Sequence, residues 1–491
     1  MPTQPEELEQ EPLVREIPPK SADLPEWYQA VCYKAELVSL APVRGCVVLR
    51  PYGYGLWERL SAELDVRFKA TGHENAYFPL LIPESLLARE QEHVEGFVPE
   101  VAWVTQGGGE VLTERLAIRP TSEVTIMTMF AKWVHSYRDL PLLINQWANV
   151  VRWEKRTRPF LRTLEFLWQE GHTAHASREE AAEEVLRMLD VYKDVAENVA
   201  AIPVYAGEKS DSERFPGALH TFSIEALMPD GRALQAGTSH EFGQNFSRAY
   251  GIEFAGEDQT LQHAWTTSWG MSWRMIGATI MVHGDDRGLR IPPRLAPIEA
   301  VIVPIARGES ESGGVRAACE RLAAILREDG RRIRVDARDQ TPGWKFNEWE
   351  MRGVPVRIEI GPRDLTAGVV TLVRRDRAFR EEGQKTTVPI DEVPSRLEAL
   401  LEEIQGHLFA QAADFLSGHT ISTGDREEFY RLLRERAGMV DVPWCGRPEC
   451  EAHVKAETSA ATRNLRAGPR GERCVACGEA AKVQAYFAQA Y

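Results

Sequence analysis

The stretch Val150–His172, VVRWEKRTRPFLRTLEFLWQEGH, decides how this chain is read. It places five basic residues, Arg152, Lys155, Arg156, Arg158 and Arg162, within eleven positions of a chain whose formal net charge is −15. The flanking residues alternate with period two. Arg162, Leu164, Phe166 and Trp168 fall on one face and Thr163, Glu165, Leu167 and Gln169 on the other, and the preceding LLINQWANVVRWE alternates in the same way. This spacing predicts paired antiparallel strands joined by a basic turn. Lys155, Arg156 and Arg158 fit a solvated hairpin tip whose charges keep an edge soluble. Arg152 and Arg162, read as lying inside the strands beside large apolar side chains, need anionic partners that Glu154 and Glu165 supply only in part. A polyphosphate laid across the sheet meets that need, because guanidinium groups give phosphate oxygens planar, bidentate contacts. Spacing alone leaves the solvated tip and the phosphate site both open.

Around the hairpin, 491 residues are too many for one ordinary core, so roughly two to four domains are expected. Hydrophobic content of 43% and charged content of 27% are those of a soluble globular protein, and no apolar run approaches the roughly 20 residues a bilayer requires. Residues 1–24 are acidic and Pro-rich, without the basic and apolar regions of a signal peptide, and read as a loose leader. Seven cysteines, four of them between Cys445 and Cys477, argue against a secreted disulfide scaffold and for a reducing cytoplasm. Net acidity disfavours diffuse nucleic-acid binding but permits a local basic face.

Residues 25–295 read as one α+β unit. YGYGLWERLSAELDVRFKATG has a helical apolar stripe at Leu56, Leu60, Leu64 and Phe68, and AAEEVLRMLDVYKDVAENVA has one at Val185, Leu186, Leu189, Tyr192 and Val195. IPPRLAPIEA, with Pro292, Pro293 and Pro297, reads as a linker. Strand and helix patterns then alternate over residues 296–398 as in a compact α/β domain, with neither GxGxxG nor GxxxxGK[ST] to mark a nucleotide site. Residues 399–491 carry a charged helical stretch and CGRPEC…CVAC, that is C-x4-C, a gap of 23 residues and C-x2-C. Cys445, Cys450, Cys474 and Cys477 suit a tetrahedral Zn²⁺ with no open position, which points to a role in folding and not catalysis. Cys32, Cys46 and Cys319 read as small core residues.

VVRWEKRTRPFLRTLEF resembles motif 2 of the class II aminoacyl-tRNA synthetases. GHENAYFPLLIP resembles motif 1, with Pro79 at a dimer interface, and TSWGMSWRMIG resembles motif 3. With RPTSE, LQAGTSH, FLWQEGH and HGDDRGLRIPPRLAP in order, the chain from about residue 25 to Tyr491 resembles the prolyl-tRNA synthetases of archaeal/eukaryotic-like type. The resemblance implies an antiparallel-sheet catalytic domain, an α/β anticodon-binding domain and a C-terminal zinc-binding α/β domain. It implies ATP-dependent formation of prolyl-adenylate with release of pyrophosphate, transfer of proline to tRNA(Pro), a requirement for Mg²⁺, and a cytoplasmic homodimer joined through motif 1.

That chemistry needs no general base, because the attacking carboxylate is already ionised. Catalysis reduces to holding two anions together and neutralising developing charge, which suits arginines and Mg²⁺. By resemblance, Arg152 bridges the α-phosphate and the proline carboxylate, Glu154 receives the adenine amino group, and Phe166 stacks on the base. Arg162 and Thr163 contact the nucleotide, Gln235 and Thr238 the ribose and its surroundings, and Ser272 and Arg274 complete the site. Ser272 stands where family members often have Thr, and either hydroxyl can donate. Proline's secondary ammonium needs a carboxylate, a hydroxyl and an apolar wall. The resemblance assigns Thr121 and Glu123 of RPTSE to the nitrogen, Trp168, His172 and His240 to the ring pocket, and Phe97 and Glu100 of EGFVPE to a loop over it. Read alone, RPTSE is a helix N-terminus, GTSH a turn and each histidine a core residue.

The short span between His172 and Gln235 implies that the bacterial-type editing insertion is absent. TPGWKFNEWEMRGVPVRIEIGPRDL resembles the class IIa anticodon-binding segment and implies that Glu350, Arg357, Arg363 and Asp364 read anticodon bases. Read singly, each of the four fits an exposed salt bridge equally well. The final FAQAY matches a family ending whose terminal carboxylate, on Tyr491, points toward the active site. A threonyl or glycyl ligase is the nearest alternative, but the threonyl enzyme's Cys and two His zinc ligands belong in the synthetic core, whereas these cysteines lie at the far C-terminus. A catalytically silent paralogue would have signalled itself by loss of Arg152 or Arg274, and both are present.

Overall fold

The computed structural model describes residues 16–93, 101–305 and 309–491. Two compact units emerge, one of Met1–Glu63, Ala196–Pro203 and Thr279–Phe415, the other of Leu64–Val195, Val204–Ala278 and Leu416–Tyr491.

The second unit is built on an eleven-stranded sheet. Its central strands, in spatial order, are Tyr205–Glu208, His220–Leu227, Ala233–Gly243, Trp265–Ser272, Glu165–His175 and Leu142–Val151, antiparallel to one another, and Glu74–Asn75 adds a short parallel edge beside the last. The predicted hairpin is present, its register running from Leu142↔Ala174 to Val151↔Glu165. Its basic residues sit differently from expectation. The strand ends at Val151, so Arg152 and Arg162 belong to the connection and not to the strands, and the Arg162 side chain is 54% exposed rather than buried. The cause is the tip itself. Phe160 and Leu161 are buried, Phe160 with φ +57° and its ring 5.6 Å from that of Trp273, so the tip folds back on the protein as a tight Arg158–Arg162 loop. Apolar burial at positions 160 and 161 wins over a straight ladder.

Helix Arg178–Asp194 starts at Ser177, whose side chain accepts from Glu180 N, and buries Ala181, Val185, Met188, Leu189 and Tyr192. Leu186, expected on that face, is 48% exposed, because at 100° per residue it falls a quarter-turn off the stripe through Val185, Leu189 and Tyr192. Val195 is buried but lies in a π-turn, Val195–Val199, beyond the helix. Leu56, Leu60, Leu64 and Phe68 of helix Pro51–Ala70 are all buried as predicted, Phe68 against Trp269 at 4.9 Å.

The C-terminal strands continue the same sheet instead of forming one of their own. Ala461–Ala467 meets Tyr205–Glu208 through Leu465↔Glu208, followed outward by Val483–Ala488, Met439–Trp444 and Thr420–Ser422. Past the last strand, Tyr491 N donates to Ala233 O at 3.1 Å and its hydroxyl to Asp230 at 2.8 Å.

In the first unit, strands Ile333–Val335, Ala300–Pro304 and Val356–Ile360 are parallel, and Val369–Arg374 and Lys385–Pro389 add an antiparallel edge. Val315, Cys319, Leu322 and Leu326 of helix Glu309–Glu328 share a core with Leu397, Leu401, Ile404 and Leu408 of helix Val393–Gly418. The proline-rich segment 291–298 contains no helix or strand. Cys32 and Cys319 are core residues, whereas Cys46 is only half-buried, in the turn between two short strands. Among the described residues no helix is long and apolar enough to cross a membrane.

Candidate functional site

A cavity of about 330 Å³ opens on the central strands. Its floor follows from the period of two. Trp168, Glu170 and His172 project from one strand, Ser268 and Gly270 from the next, and Thr238 and His240 from the third. The register sets them side by side, with His172↔Ser268↔His240 forming one rung and Glu170↔Gly270↔Thr238 the next. Gly270 adds no side chain between Glu170 and Thr238. Helix Glu123–Trp133 points its N-terminus at this floor, which brings Thr121 and Glu123 into the wall, and Arg152, Gln235 and the segment Glu213–Pro216 complete the lining.

The wall is strongly polarised. Glu170 is buried and accepts from Thr121 Oγ1 at 3.1 Å, Ser122 N at 3.0 Å and Gln146 Nε2 at 3.0 Å, with His172 Nε2 at 3.4 Å. Burial alone would raise its pKa, but the hydrogen bond and charge of His172, with Ser122, outweigh this and bring it down to about 2. Glu170 is therefore a carboxylate at neutral pH. The other nitrogen of His172 lies 3.7 Å from Glu123, so one imidazole stands between two acids. His240 packs on Phe215 at 4.7 Å and hydrogen-bonds Thr221 at 3.1 Å, and burial, with the charge of His172, lowers its pKa to about 3. It is a neutral wall.

At the hairpin end, Arg152 Nε donates to Pro120 O at 3.1 Å, and the guanidinium lies 5.4 Å from the Phe166 ring and 5.2 Å from Trp168. Arg274, the first residue of helix Arg274–His283, donates from Nε to Leu161 O at 3.2 Å, and its backbone N–H donates to Ser272 Oγ at 3.2 Å. Burial presses against the charge of both arginines. Arg274 adds to the pressure on Arg152, and Arg162 to that on Arg274. Mutually repelling, enclosed guanidinium groups make an anion site.

Of the residues predicted from sequence, Thr121, Glu123, Arg152, Trp168, His172, Gln235, Thr238 and His240 line this one cavity. Ser272 is paired with Trp168 across the sheet. Phe166 stands edge-on to Trp168, Glu154 lies 3.6 Å from Arg162, and the Thr163 hydroxyl donates to Glu165 O. Phe97 and Glu100 lie outside the described residues. Glu170, Gln146, Thr221, Ser268 and the 213–216 segment were missed. Glu170 was legible, since it sits two residues from both Trp168 and His172 and so shares their face. Gln146 is its cross-strand partner, and residues 213–216 offered no pattern.

In the other unit, Arg357 pairs with Glu350 at 3.3 Å and Glu359 at 2.9 Å and lies 4.0 Å over the Phe346 ring. Arg363 is exposed in the first turn of helix Pro362–Ala367, and Asp364 caps that helix by accepting from Gly361 N at 2.8 Å. Glu350 and Arg357 thus come together, while Arg363 and Asp364 stand on a separate element.

The four C-terminal thiols lie within 4.8 Å of one another, with Cys450–Cys474 at 3.8 Å and Cys445–Cys477 at 3.7 Å between sulfurs. A tetrahedron with metal–sulfur bonds of about 2.3 Å has edges of about 3.8 Å, so the cluster fits zinc.

Family models match along the chain. One described as tRNA synthetase class II core domain (G, H, P, S and T) covers residues 108–283, Anticodon binding domain covers 299–400, and Prolyl-tRNA synthetase, C-terminal, covers 426–491. The chain is 54% identical to a proline–tRNA ligase of Symbiobacterium thermophilum, across 98% of this chain and 100% of that one. It is also 54% identical to one of Rubrobacter xylanophilus, across 97% and 99%. It is similar to the crystal structure of prolyl-tRNA synthetase from Cryptosporidium parvum complexed with halofuginone and AMPPNP, with TM-score 0.91 and 40% identity over 98% of each chain. With this core, these companion domains and full-length relatives at such identity, the chain belongs to the prolyl-tRNA synthetases.

Proposed function

We propose that the chain attaches L-proline to tRNA(Pro) in two steps, using ATP to form prolyl-adenylate with release of pyrophosphate and then passing proline to the tRNA 3′ end. The observation that carries the mechanism is the adjacency of a small acidic cavity to an arginine-rich hairpin, with Arg152 in the wall of the first and against the aromatic ring of the second. Glu123 and Thr121 receive the imino-acid nitrogen. Neutral His240, with Trp168 and His172, walls the ring. Arg152 holds the proline carboxylate in line with the α-phosphorus. Phe166 stacks on adenine, Glu154 accepts from its amino group, and Arg162, Thr163, Gln235, Thr238, Ser272 and Arg274 hold the rest of the nucleotide. Proximity and charge neutralisation then do the chemistry. Mg²⁺, entering with the triphosphate, would add to that neutralisation.

Glu350, Arg357, Arg363 and Asp364 read the anticodon, Cys445, Cys450, Cys474 and Cys477 hold a structural zinc, and residues 25–295, 296–398 and 399–491 serve as catalytic, anticodon and zinc domains. The chain acts as a cytoplasmic homodimer through the motif 1 region, a reading supported by Tyr77 and Leu81, exposed at 72% and 40% on either side of Pro79. The test is amino-acid-dependent ATP–pyrophosphate exchange across the standard amino acids. A dominant proline signal is expected, and a threonine signal, or none, overturns the reading.

A further inference from the structure

We propose that Lys455 and Arg463 are positioning residues for the proline pocket, and that the C-terminal module acts on the pocket by holding the Glu213–Pro216 rim. The inference rests on the assignment of the cavity to proline. Glu213 lines that cavity yet is held from outside it, by Lys455 Nζ at 3.0 Å and Arg463 Nη2 at 3.3 Å. Arg463 is 6% exposed, and its other terminal nitrogen lies 3.9 Å from Glu225, itself fully buried and paired with Lys209 at 2.7 Å.

The base of the rim is fixed from the same side. Ser210 Oγ donates to Glu451 at 2.7 Å and accepts from Thr462 Oγ1 at 2.8 Å, and Asn464 Nδ2 donates to Gly207 O at 3.1 Å. From Glu213 the path into the pocket is short. Phe215 N donates to Thr221 Oγ1 at 3.0 Å, the hydroxyl that meets His240, and the Phe215 ring packs on His240. Helix Pro448–Thr458 ties the path to the thiol cluster, for Cys450 is followed directly by Glu451 and, one turn later, by Lys455. Cys450, held with the other three thiols on a metal, would fix the start of this helix and with it Glu451 and Lys455, two groups that hold the rim. Buried pairs lose much when one partner goes, because the other charge stays desolvated.

Steady-state ATP–pyrophosphate exchange on the full chain tests this. Arg463→Gln is expected to raise the KM for proline about tenfold and leave that for ATP within about twofold. Lys455→Glu changes an exposed side chain and leaves folding intact, and it places like charge beside Glu213, so a rise of about fivefold in proline KM is expected, with Lys455→Arg close to the parent. A general loss of structure would move both substrates. Proline KM within about twofold of the parent in both variants, or a parallel rise for ATP, overturns the proposal. Absence of proline-dependent exchange in the unmodified chain overturns instead the pocket assignment beneath it.

Discussion

Substituting Glu170→Gln tests whether the buried acid organises the pocket as the hydrogen bonds indicate. The amide keeps one oxygen for Ser122 N and Thr121, but its NH₂ replaces the oxygen that accepts from Gln146 Nε2. Gln146 cannot turn to help, because its own oxygen accepts from Phe78 N and its nitrogen also donates to Ser122 Oγ. Two donors then face each other between buried side chains. One buried unsatisfied donor costs about 1–3 kcal/mol, and the bonds left on a neutral acceptor weaken further, so a loss of about 3 kcal/mol is expected at pH 7. That corresponds to a fall of about 5 °C or more in the Tm of the unit holding the site.

The pH dependence has a definite sign. The folded pKa of Glu170 is lowered from 4.5 to about 2, so its stabilisation is complete above 4.5 and is lost as pH falls toward 2. The penalty of the substitution should therefore shrink by about 0.8 kcal/mol between pH 7 and pH 4. Adding Gln146→Glu restores a donor–acceptor match across the pair and should recover part of the loss in a double-mutant cycle. Thermal melting followed by tryptophan fluorescence reads all of this. A Tm within about 1 °C of the parent, with no recovery term, refutes the reasoning.

Arg152→Ala should abolish proline-dependent exchange while leaving tRNA affinity nearly intact in filter binding; loss of both would mean misfolding and not lost catalysis. Gly171→Ala should cost about 3 kcal/mol or more, seen as loss of soluble protein, because a Cβ there would lie 2.1 Å from the Trp269 ring across a buried strand pair. Purified chain should carry one tightly held zinc per polypeptide by elemental analysis, and chelation should lower the Tm and raise the KM for proline together. Zinc-free protein with an unchanged melt would overturn the structural role.

The hairpin pair, the buried stripe of helix Pro51–Ala70 and the α/β texture beyond residue 296 were legible because each depends on local periodicity, which a sequence displays directly. The position of Arg152 was not. A period of two continues smoothly through it, and Arg152 N still donates to Leu164 O at 2.8 Å, but the strand stops at Val151 and the tip beyond turns back with Phe160 against Trp273, far along the chain. Leu186 shows the same limit, for it is apolar and helical, yet a quarter-turn from the core. Pocket residues on strands were readable as faces. Those on the 213–216 segment were not, since residues hundreds of positions away, Lys455 and Arg463, put them in place. The continuation of the sheet through Leu465↔Glu208 is likewise a single long-range pairing with no local signature.

The electrostatics of the site explain why its arginines look poorly served by the fold. A stabilising surface would pair each guanidinium with a carboxylate, as Arg374 is with Asp376 and Arg375 with Asp285 in the other unit. Arg152 and Arg274 instead donate to backbone carbonyls, and Arg274 raises the cost of charging Arg152 as Arg162 raises that of Arg274. A carbonyl fixes orientation without neutralising, so a positive potential remains that an anion bound as proposed would offset. The carboxylate side of the cavity mirrors this, with Glu170 satisfied by four donors and Glu123 placed near the histidine between them. Ground-state stability is thus given up on one side of Arg152 and secured on the other. On the proposed function, that asymmetry suits a site that holds the imino-acid nitrogen on its carboxylate side and the developing negative charge of the reacting phosphate on its arginine side.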